Sequence, residues 1–328
     1  MLGKVLGFVG ISAGISLSIA LGLIASQRPG SVSARAMGEG GLDFTRQMSG
    51  GAGVLQVTPV SMRDGFDLTT RHLPGPEGAP LLVLVHGSGW YGAQFDGLAR
   101  ALSDQAEVLV PDLRGHGAAP RRRGDVDHIG QLEEDLADLI RAYAKTGQKV
   151  IMLGHSSGGG LVVRFAGGAY GDLLGGAVLL APFLKYNAPT TRTNSGGWAR
   201  PLTRRIIGLT MLNAARIRML NHLTVIQFAM PQAVLDGPLG HMATTAYSYR
   251  MNTSYAPRPA YEKDIAALPP FLLIAGTADE AFVADAYEPL MTQYSSKGRY
   301  HLIEGVSHLD VVNAPQTQTL IRGFLNEL

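Results

Sequence analysis

The sequence predicts a layered α/β fold: a mostly parallel sheet with helices on both faces, entered through an antiparallel hairpin and interrupted by one long insertion. Three observations point there. Short apolar runs without alternation, such as Leu81–Val85 and Gly176–Leu180, read as strands covered on both faces. These runs alternate with helix-compatible stretches, as a layered α/β architecture requires. Asp64-Gly65 stands between β-prone residues 60–62 and 66–71, a strong hairpin signal, so the sheet is expected to start antiparallel.

Along the chain, the first feature is an uncharged, mostly apolar stretch over residues 5–25. As a helix rising about 1.5 Å per residue it would span roughly 30 Å, the thickness of a bilayer core. The apolar region of a cleaved signal is shorter, about 7–15 residues. Residues 1–27 are therefore expected to form an N-terminal transmembrane helix, with a cleaved signal segment as the alternative and Ala34-Arg35-Ala36 as its cleavage site. Gly10, Gly14, Ser18 and Gly22 share one helix face, a stripe suited to weak self-association in a membrane, although glycine is also simply common in such helices. The expected location is a single-pass membrane protein with its globular part outside the cytoplasm. Residues 28–52, rich in Gly, Ser and Ala, read as a linker to a globular domain over residues 53–328.

Residues 54–58 open the strand pattern ahead of the hairpin. Leu81–Val85, residues 107–110, residues 149–153 and Gly176–Leu180 then read as strands, separated by helices over residues 94–103, 129–145 and 161–168. The alternation breaks after Phe183 and resumes with a strand over 271–275, a helix over 284–295, a strand over 300–303 and a closing helix over 316–328. The break holds the insertion, residues 185–268, expected to form a helical cap. From Lys185 to Glu262 it carries nine Lys and Arg against two Asp and Glu, net +7 in a chain of net +2. It is apolar as well, with Ile206, Ile207, Leu209, Met211 and Leu212 too numerous for one narrow stripe. Two readings stand side by side: a surface for anionic lipid or acidic substrate, or a cap that buries its apolar side and solvates its arginines.

The 328 residues, 46% hydrophobic and 16% charged, suffice for one large domain with an insertion. Cysteine is absent, which excludes a disulfide framework, a thiolate metal site and a cysteine nucleophile. The histidines show no metal-ligand clustering, so no metal is expected, and neither a cofactor nor a nucleic-acid partner is expected.

Chemistry enters at Gly154-His155-Ser156-Ser157-Gly158, directly after the strand at 149–153 and before the helix at 161–168. A serine at the tip of so sharp a strand-to-helix turn needs small neighbours, and Gly154 and Gly158 supply them. A serine hydroxyl is a poor nucleophile at neutral pH and needs a base, itself oriented by a third group. Asp279 follows the strand at 271–275 through Gly276-Thr277-Ala278, and His308 follows the strand at 300–303 through Glu304-Gly305-Val306-Ser307. Strand ends on one side of a parallel sheet converge, so Ser156, Asp279 and His308 are the candidate nucleophile, orienting acid and base. The oxyanion formed on attack needs donors; the backbone N–H groups of Ser157 and of Ser88, in the loop His86-Gly87-Ser88-Gly89, are the candidates.

These residues, with Pro111-Asp112-Leu113-Arg114-Gly115-His116-Gly117, resemble the α/β-hydrolase-fold serine hydrolases, and among them the monoglyceride lipase, lysophospholipase and S33 serine peptidase group. The resemblance covers the chain from about residue 60 to its end, apart from the insertion, which sits where such enzymes carry a cap. It implies that fold, Ser156 as nucleophile, His308 as base and Asp279 as orienting acid. The basic insertion and the apolar N-terminal stretch depart from the usual catalytic domain.

Other residues compete for attention. His86 and His116 lie inside turn motifs, before the nucleophile, and read as shaping those turns; Asp112 also comes too early to be the acid. Glu280, Asp285 and Asp310 are fallback carboxylates, while Trp90 and Tyr91 stand equally as pocket-mouth or packing residues. Gly87-Ser88-Gly89-Trp90-Tyr91-Gly92 with Asp112 downstream mimics a dinucleotide-binding turn, the basis for an NAD-binding oxidoreductase alternative. A non-catalytic binding protein on the same fold would be expected to lack one of the three residues, and none is missing. The sequence therefore predicts a membrane-associated serine hydrolase of carboxylic esters such as monoacylglycerol or lysophospholipid. An S33-type peptidase or an acyltransferase is the alternative on the same fold.

Overall fold

The computed structural model describes residues 2–31, 41–45, 55–118 and 120–328, with side chains from residue 11 onwards. In chain order the helices are α1 (Leu2–Ala25), α2 (Asp96–Leu102), α3 (Gln131–Tyr143), α4 (Ser157–Ala166), α5 (Thr203–Ala214), α6 (Gln232–Asp236), α7 (Tyr249–Tyr255), α8 (Tyr261–Ala267), α9 (Tyr287–Met291) and α10 (Pro315–Glu327). The strands of the main sheet are β1 (Val57–Ser61), β2 (Asp67–Leu73), β3 (Leu81–Val85), β4 (Glu107–Pro111), β5 (Val150–His155), β6 (Gly176–Leu180), β10 (Phe271–Gly276) and β11 (Gly298–Ile303). Between β6 and β10 lie β7 (Ala199–Pro201), β8 (Thr224–Phe228) and β9 (Ala246–Ser248).

The main sheet runs β1-β2-β4-β3-β5-β6-β10-β11. The β1–β2 and β2–β4 pairs are antiparallel and every later pair is parallel, so the sheet starts on the hairpin expected around Asp64-Gly65. Gly65 takes φ +77°, a conformation that suits glycine at a tight turn. Every residue of β3, β4, β5, β6 and β10 is buried. Successive strand side chains point to opposite faces, so burial of all of them means that both faces are covered. Residues such as Leu82, Leu84, Ile151 and Leu273 each contribute about 1.5–3 kcal/mol by leaving water. The expected α/β architecture is present.

The insertion differs from expectation. It is not purely helical: β7, β8 and β9 form a three-stranded antiparallel sheet, with α5 to α8 around it. Thr224-Val225-Ile226-Gln227-Phe228, rich in β-branched and aromatic residues, is a strand former by composition. Five of its nine basic side chains bond to other groups of the protein. Lys185, Arg192 and Arg205 donate to the carbonyls of Pro259, Phe282 and Thr224, Arg250 pairs with Asp125, and Arg258 pairs with Glu133 and Asp264.

The N-terminal expectations need two corrections. Residues 2–25 do form one helix, but among the described residues no helix is long and apolar enough to cross a membrane. One face of α1 packs on the insertion, where Ala20 and Ile24 are buried with Leu209, Leu212 and Tyr249. The transmembrane anchor is thus not supported. Nor is the self-association stripe what packs this helix: Cβ atoms on Gly14 and Gly22 would meet nothing within 4 Å, whereas one on Gly208 of α5 would come within 2.5 Å of the Ala20 carbonyl oxygen. The surroundings of Gly10 are not described, and the Ala34-Arg35-Ala36 site, most of the linker and residue 54 lie outside the described residues.

Candidate active site

At the end of β5 the chain turns through Ser156, with φ 55° and ψ −123°, straight into α4. A serine with positive φ is strained by about 1–3 kcal/mol and persists only where the surroundings impose it. They do so here. A Cβ on Gly154 would lie 2.3 Å from the Gly158 carbonyl oxygen, and one on Gly158 would lie 2.2 Å from that of Val85. Strand and helix can therefore approach only because both positions are glycine. Ser156 N donates to the Leu180 carbonyl at 2.9 Å and Phe183 N donates to the Ser156 carbonyl at 2.9 Å, tying the turn to the end of β6.

The three residues distant in sequence meet at this turn. His308 Nε2 lies 3.0 Å from Ser156 Oγ, and His308 Nδ1 lies 2.8 Å from Asp279 Oδ2. Asp279 Oδ1 accepts the N–H groups of Ala281 at 2.8 Å and Phe282 at 2.7 Å, which leaves Oδ2 for the imidazole. Burial pushes the Asp279 carboxyl up, but His308 and those two N–H groups outweigh it and hold the pKa below the usual carboxylate range. Asp279 is therefore ionised at neutral pH and favours the His308 tautomer protonated at Nδ1, leaving Nε2 to accept from Ser156. The fallback carboxylate Glu280 has another partner, accepting the His308 backbone N–H at 2.8 Å.

Sequence reasoning missed how His308 is held. His155 Nε2 donates to the His308 carbonyl at 2.9 Å, its ring lies 4.7 Å from the His308 ring, and Gln94 Nε2 donates to its Nδ1 at 3.3 Å. Burial and the neighbouring His308 push the pKa of His155 down to about 3, so it is neutral and can fill both roles. Its place beside Ser156 in Gly154-His155-Ser156 was the only available signal.

Ser157 begins α4, so its N–H is among the first-turn donors that no intrahelical carbonyl accepts. Ser88 and Ser157 both line a cleft of about 530 Å³ with Ser156 and His308. Six aromatic residues make up half of the remaining lining, Phe183, Trp198, Phe228, Tyr247, Tyr255 and Phe282. A second cleft, about 340 Å³, also reaches Ser156 and His308 and is lined by Trp90, Gln94, Leu309 and Val312. Phe44 lines it too. This residue falls in the stretch expected to be a linker, yet it is 2% exposed and packs its ring on Trp90 and Trp198, with centroids 5.7 and 5.5 Å apart. None of the described residues lining either cleft is Asp, Glu, Lys or Arg.

The dinucleotide reading of residues 87–92 does not survive the geometry. Asp112, cast as the ribose ligand, is buried, and its Oδ1 accepts Arg71 Nη1 at 2.7 Å and Gly92 N at 2.8 Å. Trp90 and Tyr91 are buried where a cofactor phosphate would need open backbone. Among the described residues no cluster of His, Asp and Glu is arranged to hold a metal ion.

A sheet of this order, with a serine at the β5 turn hydrogen-bonded to a late histidine and through it to an aspartate, defines an α/β-hydrolase-fold hydrolase. Residues 77–313 match the serine aminopeptidase S33 family, and the chain belongs to that family. Among solved structures it is similar to a soluble variant of monoglyceride lipase from Saccharomyces cerevisiae, with 18% identity, TM-score 0.61, and coverage of 84% of this chain and 97% of that one. It is also similar to a membrane phospholipase A described as a bacterial virulence factor, with 18% identity, TM-score 0.57, and coverage of 100% and 99%. At such identities the likeness shows the fold. The magnesium-chelatase 30 kDa subunit of Rhodobacter capsulatus is 36% identical over 92 residues, 28% of this chain and 32% of that protein, so the match spans about a third of the relative's length.

Proposed function

We propose that this hydrolase cleaves carboxylic esters of acyl lipids, monoacylglycerol or lysophospholipid in class, through an acyl-enzyme on Ser156. The observation that carries the reading is the 3.0 Å and 2.8 Å relay from Ser156 through His308 to Asp279, opening onto an aromatic cleft with no charged side chain among its described lining residues. His308 Nε2 takes the Ser156 proton as Oγ attacks the ester carbonyl carbon. Asp279 stabilises the imidazolium, and the Ser88 and Ser157 N–H groups receive the oxyanion. Collapse expels the alcohol, which leaves with the proton held on His308. Water, deprotonated by the same imidazole, then attacks the acyl-enzyme and frees the acid.

The apolar cleft suits an acyl chain. An aminopeptidase must instead accommodate a substrate ammonium, for which a carboxylate is the natural partner, and neither cleft presents one among its described residues. In the full chain, Ser156→Ala should abolish turnover of p-nitrophenyl esters and labelling by a fluorophosphonate; full labelling of that variant would overturn the assignment. Rapid cleavage of aminoacyl amides with inert esters would move the reading to a peptidase.

A further inference from the structure

The loop that carries Ser88 is held from the cap by two tyrosine hydroxyls. We infer that Tyr247 and Tyr255 are positioning residues for the oxyanion hole, so that the cap completes the reaction centre as well as walling the substrate cleft. This inference rests on the function proposed above.

The donor in question, Ser88 N–H, belongs to the Gly87–Ser88 peptide. The carbonyl of that peptide accepts from His86 Nδ1 at 2.9 Å, while His86 Nε2 accepts the Leu113 N–H at 3.0 Å, which places the ring proton on Nδ1. In a trans peptide C=O and N–H point in opposite directions, so fixing the Gly87 carbonyl aims the Ser88 N–H. The peptides on either side are fixed from the cap. Tyr255, on α7, donates its hydroxyl to the His86 carbonyl. Tyr247, on β9, accepts the Gly89 N–H at 2.9 Å, and the Gly89 carbonyl accepts the Thr244 N–H at 2.9 Å.

The Tyr247 hydroxyl is itself directed. His116 Nδ1 donates to the Arg114 carbonyl at 3.2 Å, so Nε2 is the acceptor for Tyr247 at 2.6 Å, and the tyrosine oxygen keeps its lone pairs for Gly89. Burial, with His86 adding to it, pushes the pKa of His116 down to about 3, consistent with a neutral ring. Each bond in the chain Gly89, Tyr247, His116, Arg114 therefore has one direction, and such chains reinforce one another in a buried setting. Both tyrosine rings also line the 530 Å³ cleft beside Ser88 and Ser157, so one side chain meets the substrate with its ring and the oxyanion loop with its hydroxyl.

Tyr247→Phe and Tyr255→Phe keep the rings and delete the hydroxyls. Each should lower kcat on a short p-nitrophenyl ester about 10-fold, a part of the roughly 10²–10³ lost when an oxyanion donor itself is removed. KM should stay within about twofold, because the apolar wall is intact, and affinity for a trifluoromethyl ketone, whose adduct places an oxyanion in the hole, should fall with kcat. Tyr249→Phe is the control: its hydroxyl is also in the cap, 3.0 Å from Thr210 Oγ1, but faces α5, and its loss should leave kcat unchanged. Unchanged kcat and ketone affinity in both variants, or a rise in KM alone, would overturn the inference while Ser156→Ala remained inactive. An active Ser156→Ala would instead overturn the function on which it rests.

Discussion

On the sheet side of the site, Ser156 and Asp279 follow strands β5 and β10, whose residues are all buried, and glycines set the approach of backbone to backbone. On the other side, Trp198, Tyr247 and Tyr255 come from a small sheet and short helices of the insertion, and Phe44 comes from the stretch ahead of the first strand. The first wall is made by steric exclusion and continuous burial, the second by directed hydrogen bonds and ring contacts. Steric constraints of that kind tolerate almost no substitution. Hydroxyl and ring contacts give way one at a time, so the two walls should fail in different ways.

The largest difference is expected at Gly158. A Cβ there would meet the Val85 and His86 carbonyl oxygens at 2.2 and 2.5 Å, both backbone atoms of the central sheet and its following loop. Gly158→Ala should cost on the order of 4 kcal/mol or more and prevent accumulation of folded protein, read as loss of soluble expression or of a cooperative thermal transition. A stable, active Gly158→Ala protein would show that the turn adapts, and the contrast between the walls would fall.

Acid should act on both walls through three buried neutral histidines. Burial pushes His86 to about 4, and His116 and His155 to about 3, from ordinary values near 6.5. Folded pKa values below the unfolded ones mean that, between roughly pH 4 and 6.5, the unfolded chain binds more protons, so stability falls as pH falls through that window. With three groups the limiting slope is about 4 kcal/mol per pH unit. Asp279 adds nothing there: its pKa is held below the carboxylate range, and its contribution is lost only at lower pH. Denaturant titrations between pH 5 and 7 check the slope, and His155→Gln should reduce it by about one proton. A flat profile would mean that these rings are charged in the folded protein.

How legible each wall was in the sequence follows from the same contrast. The Ser156 turn, Asp279 and His308 could be placed because each stands just after an apolar strand, and a parallel sheet brings such ends together without further information. The Ser88 loop was legible for the same reason. The role of Tyr247 was not, because it depends on the register of β9 against β8 and on a bond to Gly89, 158 positions away. The insertion's basic charge left two readings open, because composition does not show which side chains find partners; five of them bond to carbonyls or carboxylates of the protein. Phe44 was hidden by its neighbours: one aromatic ring in a Gly-rich stretch has no periodicity to betray burial.

Phe44 therefore supplies the smallest and most discriminating test. Its ring lines the smaller cleft beside Trp90, and that cleft is walled also by Leu309 and Val312 from the segment that follows His308. On the proposed function, the smaller cleft takes the leaving alcohol and the larger aromatic cleft the acyl chain. Phe44→Ala should thus raise KM about 3- to 10-fold for esters of aromatic alcohols, the range expected for losing one or two ring contacts, and leave esters of methanol nearly unchanged. The thermal midpoint should fall by several degrees as well, because the ring is buried in the same apolar cluster as the central sheet. A uniform loss across all alcohols would mean that Phe44 serves packing alone, and the arm would then belong with the first wall instead of the second.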